Sequence, residues 1–396
     1  MRQCVILVGG KGSRLGDITK DTPKPMIEIS GKPFLLNLIE MAERFGFNDI
    51  ILLASHANEV IIEYFKDYKS KDCNFRVIVE EEPLGTGGAL INAYEFLENS
   101  FFCLNGDSII DGNWLSMNKY LNEESEAVVA LTETDYPRRY GSITINKNKI
   151  IKFEEKTENN DTKLINGGIY LLKKTILKNF PKKNFSLEKD ILPDLAIKGK
   201  LNGVKVDGYF IDIGTRESLE EARQRNWNQE RKAVIFDRDG TLNEDNGYTH
   251  KREDLKWKPG AINLIKYLND KNFYVFIATN QAGIAKGKFK EKDMYNFHRE
   301  MQEQLWSHGA HIDKFYFCPF HTEALLEEYK KDSINRKPAT GMLNEIQKEW
   351  GLLKKNMLMI GDRDTDIYCA ENFEINSILY NGKDNIFEFS KEKIFG

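Results

Sequence analysis

The chain has 396 residues, 41% hydrophobic and 30% charged, with 24 Phe and 16 Tyr; at roughly 100–200 residues per domain this predicts two domains with sizeable cores and excludes a disordered chain. Lys and Arg total 57 against 61 Asp and Glu, a net charge of −4. That near balance excludes a broad basic face for gripping nucleic acid and leaves small anionic substrates in local positive pockets.

No apolar run approaches the ~18 residues of a membrane span. Met1–Val8 runs straight into glycines; it is short for a signal peptide and reads as a first buried strand. Five scattered cysteines without Cys-x-x-Cys spacing read as free thiols in a reducing cytoplasm.

Apolar runs alternate with amphipathic stretches, which argues for α/β architecture. In the first half the runs are Val5–Val8, Ile50–Ala54, Arg76–Val79, Phe101–Leu104 and Ala127–Leu131, with helical periodicity over Phe34–Phe45 and Val60–Tyr68. Leu219–Arg231 is charged and helical in period. Ala233–Phe236 then starts a new strand, and Tyr274–Ala278 and Met357–Ile360 follow. The boundary is placed near residue 230, giving domains 1–228 and 230–396, each Rossmann-like α/β.

After the first strand comes Gly9-Gly10-Lys11-Gly12-Ser13-Arg14-Leu15. Bare backbone there lets N–H groups approach an anion, and Lys11 and Arg14 add charge. The spacing matches neither the dinucleotide fingerprint nor the Walker loop. Thr22-Pro23-Lys24-Pro25 holds a lysine between two stiff residues. Glu82-Pro83-Leu84-Gly85-Thr86-Gly87-Gly88 is a second glycine loop opening a helix, where a flat base or a ribose can lie. Leu104-Asn105-Gly106-Asp107 ends a buried strand in a carboxylate placed for Mg²⁺.

With Arg139-Tyr140-Gly141, Phe153-Glu154-Glu155-Lys156, Asn166-Gly167-Gly168 and Gly208-Tyr209-Phe210-Ile211-Asp212-Ile213-Gly214-Thr215 in order, residues 1–225 resemble the sugar-1-phosphate nucleotidylyltransferases, whose fold is GT-A-like. The stretch Phe185–Asp190 looks most like the D-glycero-α-D-manno-heptose 1-phosphate guanylyltransferases; Ser13 stands where that family usually has Thr. The resemblance implies in-line attack of a sugar 1-phosphate on the α-phosphorus of an NTP, with pyrophosphate leaving. It implies that Gly9, Gly10, Gly12, Ser13 and Arg14 hold the triphosphate and that Lys24 bridges the reacting phosphates. Gly85 and Gly87 then border base and ribose, Gly141, Glu155, Lys156, Asn166 and Gly167 line the sugar phosphate, and Asp107 and Asp212 hold Mg²⁺.

The second half opens with Phe236-Asp237-Arg238-Asp239-Gly240-Thr241. Residues i and i+2 on a strand face one way, and two carboxylates facing one pocket need a cation or a proton between them. That suits an aspartyl-phosphate mechanism, one carboxylate attacking phosphorus and its neighbour moving the proton. Thr279-Asn280-Gln281, Arg336-Lys337-Pro338 and Gly361-Asp362-Arg363-Asp364-Thr365-Asp366 follow. This order resembles the haloacid dehalogenase-like phosphatases over 232–385, and Asn246–His250, Lys258–Gly260 and Thr279–Lys288 look like heptose 1,7-bisphosphate 7-phosphatases. The resemblance implies Asp237 as nucleophile, Asp239 as acid–base, Thr279, Asn280 and Lys337 on the phosphate, Arg336 on substrate, and Mg²⁺ on Asp237, Asp239 and Asp362. For Asp366, a plain helix-start acid and a supporting role weigh about equally.

Those phosphatases carry a zinc loop. Here Cys318-Pro319-Phe320-His321 starts one, but no Cys or His follows before Arg336. Two candidates fall short of zinc's usual four ligands, so no zinc is expected and the segment Glu323–Asn335 is expected to hold its shape by packing alone. Together the halves imply dephosphorylation of a heptose bisphosphate followed by guanylyl transfer, in the cytoplasm, on NTP and sugar-phosphate substrates, with no nucleic-acid or membrane partner and with homo-oligomerisation left open. The alternatives are another sugar (mannose or N-acetylmuramate 1-phosphate), a histidinol-phosphate-like phosphatase, a nucleic-acid 3′-phosphatase, or one half serving only for binding.

Overall fold

The computed structural model describes the chain except residues 1, 11, 12, 21, 56, 57, 69, 71, 72, 135–139, 141, 155–162, 179, 181–183, 226–230 and 396; the side chains of Ser13, Arg14, Asn58 and Glu154 are likewise not described. It divides into two compact units, Met1–Arg225 and Asn226–Gly396.

The first unit is built on a nine-stranded mixed sheet. Its order is Asn74–Val79, Asp49–Ala54, Gln3–Leu7, Ser100–Asn105, Leu164–Lys173, Ala127–Glu133, Leu201–Lys205, Lys149–Glu154 and Ser142–Asn146. The first four are mutually parallel, and Leu164–Lys173 runs antiparallel to both its neighbours. The expected apolar runs all lie on strands, and Phe34–Arg44 and Asn58–Phe65 are helices. Val5, Ile51, Leu53, Cys103, Val129 and Tyr170 face one core, each at most 2% exposed. The central strands are covered on both faces, so they read as continuous apolar runs. A separate two-stranded ribbon pairs Ser108–Gly112 with Gly208–Asp212.

The second unit has a five-stranded parallel sheet ordered Lys314–Cys318, Tyr274–Asn280, Ala233–Phe236, Met357–Gly361 and Asn376–Leu379. Val234, Phe236, Val275 and Ile277 pack under the helices Ala261–Asp270 and Glu291–Ser307. Ala233, Ile235, Tyr274 and Phe276 pack under Gly341–Trp350 and Asp364–Phe373. The strict alternation follows from the two-residue period of a strand, and it leaves the C-terminal strand ends as the place for polar chemistry. Among the described residues, no helix is long and apolar enough to cross a membrane.

Two candidate active sites

In the first unit a cavity of about 500 Å³ opens at the C-terminal ends of the parallel strands, lined by Gly9, Gly10, Lys24, Gly85, Asp107 and Asp212 among others. Its floor needs glycine for close approach. A Cβ on Gly9 would lie 2.5 Å from the Ser55 hydroxyl, which donates to the Gly9 carbonyl at 2.8 Å. A Cβ on Gly106 would lie 2.6 Å from the Leu7 carbonyl. Lys24 sits in a 3₁₀ turn, Lys24–Met26, preceded by Pro23. Its ammonium reaches Asp107 Oδ2 at 2.7 Å and Asp212 Oδ1 at 3.4 Å. Asp212 arrives there because the ribbon pairs it with Ser108, next to Asp107. Burial and the Asp107 charge raise the Asp212 pKa, opposed by Lys24 and by the Gly214 N–H, which donates to Asp212 at 2.5 Å.

Not every expected residue faces this cavity. Gly85 lines it at φ +73°, while a Cβ on Gly87 would strike the Phe185 ring at 2.3 Å; the Gly87 N–H donates to the Phe185 carbonyl at 3.0 Å. Glycine at 87 therefore serves the packing of the Phe185 segment. Asn166 is tied to Tyr170 OH at 2.8 Å and to the Gly168 N–H at 3.0 Å, and Gly167 packs on Ile110. Lys11, Gly12, Gly141, Glu155, Lys156 and the side chains of Ser13 and Arg14 lie outside the described residues.

Two carboxylates in the cavity were not singled out by sequence reasoning. Glu188 accepts from Thr86 at 2.6 Å, Ser186 at 2.9 Å and Tyr170 at 3.1 Å. Glu80 directly follows the strand Asn74–Val79 and is 8% exposed. It accepts the Leu84 N–H at 3.1 Å, and burial raises its pKa against that bond. A strand-end carboxylate was the signal that found Asp107, and it would have found Glu80 too.

The second unit has its own cavity of about 510 Å³ at the ends of its central strands. Asp237 follows Ala233–Phe236, and Lys337 Nζ lies 2.6 Å from Asp237 Oδ1 and 2.6 Å from Asp366 Oδ1. Two glycines make room. A Cβ on Gly240, at φ +91°, would meet Asp362 Oδ2 at 2.4 Å, and one on Gly361 would meet Asp366 Oδ2 at 2.2 Å. Thr241 donates to Asp362 Oδ1 at 2.8 Å. Burial pushes the Asp237 pKa up to about 7, with Lys337 opposing and Asp366 and Asp239 adding to the rise. Burial pulls the Lys337 pKa down, but Asp237 and Asp366 outweigh it and leave the ammonium harder to deprotonate than usual.

Carboxylate oxygens of Asp237, Asp362 and Asp366 lie within 4.8 Å of one another, an all-oxygen donor set suited to a hard divalent cation. Asp239 stands apart from this trio. Its side chain turns to Arg238, Asn243 and Gln281. Thr279 is 1% exposed and accepts from Gln281 at 2.9 Å. Asn280 exchanges two 3.0 Å bonds with the Lys337 backbone, so it fixes the lysine's place. Arg336, His321 and Lys286 also line the cavity; burial and then the charges of Arg336 and Lys286 lower the His321 pKa.

Cys318 is buried, and His321 Nδ1 accepts the Glu323 N–H at 3.0 Å. The segment beyond is held by more than packing. Leu325 and Leu326 N–H both reach the Ala285 carbonyl, at 2.9 and 3.1 Å, and His321 N–H reaches the Tyr329 carbonyl at 3.1 Å. Tyr329 in turn donates to Glu291 at 3.2 Å.

Residues 3–229 match the nucleotidyl transferase family, and residues 334–385 match the HAD-hydrolase-like family. The chain belongs to the nucleotidyl transferases through its first unit and to the HAD-like phosphatases through its second, and it is an enzyme of both kinds. It is 41% identical over 217 residues to a D-glycero-alpha-D-manno-heptose 1-phosphate guanylyltransferase of Campylobacter jejuni, covering 54% of this chain and 96% of that one. It is 39% identical over 154 residues to a D-glycero-beta-D-manno-heptose-1,7-bisphosphate 7-phosphatase of Rhodopseudomonas palustris, covering 39% of this chain and 86% of the relative. The crystal structure of HddC from Yersinia pseudotuberculosis complexed with GMP-PN is 37% identical, covers 57% of this chain and 99% of that one, and superposes with a TM-score of 0.51.

Proposed function

We propose that the chain performs two consecutive steps. The second unit removes the 7-phosphate of D-glycero-α-D-manno-heptose 1,7-bisphosphate, and the first joins the resulting 1-phosphate to GMP from GTP, releasing pyrophosphate. The observation that carries this reading is the union in one chain of two cavities, each lined by a lysine and aspartates, in units whose relatives are named for the same heptose.

In the first unit the reaction needs two anions brought together and their repulsion offset. Gly9 and Gly10 offer bare backbone, Lys24 offers its ammonium, and Gly12, Ser13 and Arg14 join them by resemblance. Asp107 and Asp212 already converge on one cation and would hold Mg²⁺. When bound, it offsets charge on the transferring phosphate. Glu80 supports guanine. A carboxylate only accepts hydrogen bonds, and guanine alone among the common bases sets an N–H and an NH₂ side by side.

In the second unit Asp237 is the nucleophile and Asp239 moves the proton. Asp237, Asp362 and Asp366 would hold Mg²⁺, whose charge favours an ionised Asp237 and steadies the phosphoryl oxygens. The resemblance also puts Asp239 among the Mg²⁺ ligands; its side chain is turned to Arg238, Asn243 and Gln281, and this reading uses Asp366 in the carboxylate set. Thr279 and Lys337 stand ready for the phosphoryl oxygens. Arg336 and Lys286, which also line the cavity, fit a substrate with a second phosphate.

The relatives differ in anomer, alpha for the transferase and beta for the phosphatase. Consecutive action requires one anomer throughout, and this reading takes the alpha. The test is to incubate the full chain with Mg²⁺, each anomer of the bisphosphate and each of GTP, UTP, CTP and dTTP, and to identify products by mass. GDP-heptose from the alpha anomer is expected. GTP proving the poorest donor would overturn the guanylyl assignment.

A further inference from the structure

We propose that Arg238 is a positioning residue of the phosphatase reaction, its guanidinium fixing the direction in which the Asp239 carboxylate faces the scissile ester. The inference rests on Asp239 being the acid–base group.

Arg238 stands between the two working aspartates and is 0% exposed. Its Nε donates to Asp239 Oδ1 at 3.1 Å and its Nη2 to Oδ2 at 2.7 Å, so both carboxylate oxygens are gripped from one planar fork. Nη2 also reaches the Thr249 carbonyl at 2.8 Å and Gln281 Oε1 at 3.3 Å, and Nη1 donates to His298 Nε2 at 3.1 Å. The guanidinium carbon lies 4.7 Å from the Phe297 ring centroid. Asn243 adds a bond to Oδ1 at 2.9 Å and Gln281 one to Oδ2 at 3.0 Å. Asp239 nevertheless keeps an edge on the cavity, with 17% of its side chain exposed.

A charge buried this deeply costs several kcal/mol in desolvation, and an apolar residue would pack the site at less expense. A guanidinium held by three further groups while it grips one carboxylate makes sense where that carboxylate must point one way. The reaction has such a need. Asp237 Oδ bonds to phosphorus while the ester P–O bond breaks, its electron pair passing to the leaving oxygen, which takes the Asp239 proton. Water then bonds to phosphorus and gives its proton to Asp239, and the acyl-phosphate bond breaks to restore the Asp237 carboxylate and free inorganic phosphate. One carboxylate serves both the leaving oxygen and the incoming water, so its direction governs both half-reactions.

The test uses the full chain with two substrates, the heptose bisphosphate, whose leaving alkoxide needs a proton, and 4-nitrophenyl phosphate, whose leaving phenolate does not. Arg238→Lys keeps the charge and loses the fork. It should lower kcat/KM, which reads the steps up to ester cleavage and not the water step common to both substrates, about 10²-fold on the sugar phosphate and by less than about tenfold on 4-nitrophenyl phosphate. In an Asp239→Asn background the same substitution should have no further effect. Equal losses on both substrates, or an undiminished loss in the Asp239→Asn background, would overturn the proposal. Asp239→Asn alone is the reference. If it loses equally on both substrates the acid–base role of Asp239 falls, whereas if it discriminates and Arg238→Lys does not, only the role of Arg238 falls. Should Arg238→Lys fail to fold, Gln281→Leu removes a donor to Asp239 and an acceptor of Arg238, and the same two comparisons decide at a loss of about tenfold.

Discussion

Both units place one lysine between two aspartates, and the two arrangements differ mainly in water. Lys24 is 9% exposed by side chain, but its partners Asp107 and Asp212 are 37% and 26% exposed. Lys337, Asp237 and Asp366 are 2%, 10% and 1% exposed. The nucleotidyl site is a half-open clamp, suited to a large polyanion that brings its own charge and leaves as pyrophosphate. The phosphatase site is nearly dry, suited to forming and protecting an acyl phosphate. Charge interactions strengthen as water is excluded, so the same motif should respond differently to the same substitution.

The largest effect tests whether the two clamps work independently. Asp237→Asn removes the proposed nucleophile and should lower phosphate release by more than about 10³-fold. Pyrophosphate release measured in the same sample with sugar 1-phosphate and GTP should stay within about twofold, and loss of both activities would show the sites coupled. Next comes the contrast in dryness itself. Lys337→Met leaves two buried carboxylates without their cation and should cost about 3–5 kcal/mol in urea unfolding. Lys24→Met, whose carboxylates can turn to water, should cost about 1 kcal/mol. Asp366→Asn added to Lys337→Met should restore part of the loss, since one unpaired charge goes with it. Equal costs for the two lysine variants would mean that exposure is not what separates the sites.

Glu80, proposed to read the base from the wall of the first cavity, sharpens the comparison on the specificity side. Glu80→Gln swaps an acceptor for a group that presents a donor as well. It should lower kcat/KM for GTP by about 10–100-fold, in line with about 1–3 kcal/mol for a paired base contact, and leave UTP within a few-fold. Pyrophosphate release with each nucleotide measures it. A uniform loss over all nucleotides would assign Glu80 to holding the Leu84 turn instead.

How much of this was legible beforehand follows from what each residue interacts with. Strands covered on both faces, such as Asp49–Ala54 and Ala233–Phe236, announce themselves as apolar runs, and Asp107 and Asp237 are marked by ending such runs. In the antiparallel half of the first sheet Ala127–Leu131 announces itself as an apolar run, while Leu164–Lys173 is legible only as a motif. Leu164–Lys173 carries Asn166-Gly167-Gly168, and its register shifts between Asn166 and Tyr170, which breaks the period. Glycines flag close approach without saying what approaches: Gly85, which lines the cavity, meets the Phe185 carbonyl, and Gly87 meets the Phe185 ring. Asp366 is equally legible as a helix-start acid and as a supporting residue, because its closeness to Lys337 depends on Gly361 leaving it room. Arg238 was invisible, since the middle of Asp-x-Asp has no pattern until burial shows both oxygens of Asp239 in its grip.

The smallest effect concerns the residue behind that grip. His298 is buried and stacked on Phe315 at 4.3 Å, and burial, then the Arg238 charge, holds its pKa well below the ordinary 6.5. It therefore stands neutral, with Nε2 accepting from Arg238. In the unfolded chain the same imidazole takes a proton below about pH 6.5, while the folded one does not. The unfolded state then binds more protons, so the stability owed to His298 is present above about pH 6.5 and is lost as the pH falls, at up to about 1.4 kcal/mol per unit. Asp237 works in the opposite sense. Its pKa, raised to about 7 from 3.8, means the folded state holds the extra proton between those values and loses stability as the pH rises through them. A bare pH profile mixes the two, so the comparison must be with His298→Gln, whose amide oxygen can still accept from Arg238. At pH 7.5 the variant should be less stable than the parent by about 1 kcal/mol, the share of the lost ring contact. By pH 5.5 that deficit should have shrunk by about 1 kcal/mol, because the parent alone pays for keeping its imidazole neutral. A deficit constant over that range in urea unfolding would mean that His298 is protonated in place, and the acceptor for the Arg238 N–H would have to be sought elsewhere.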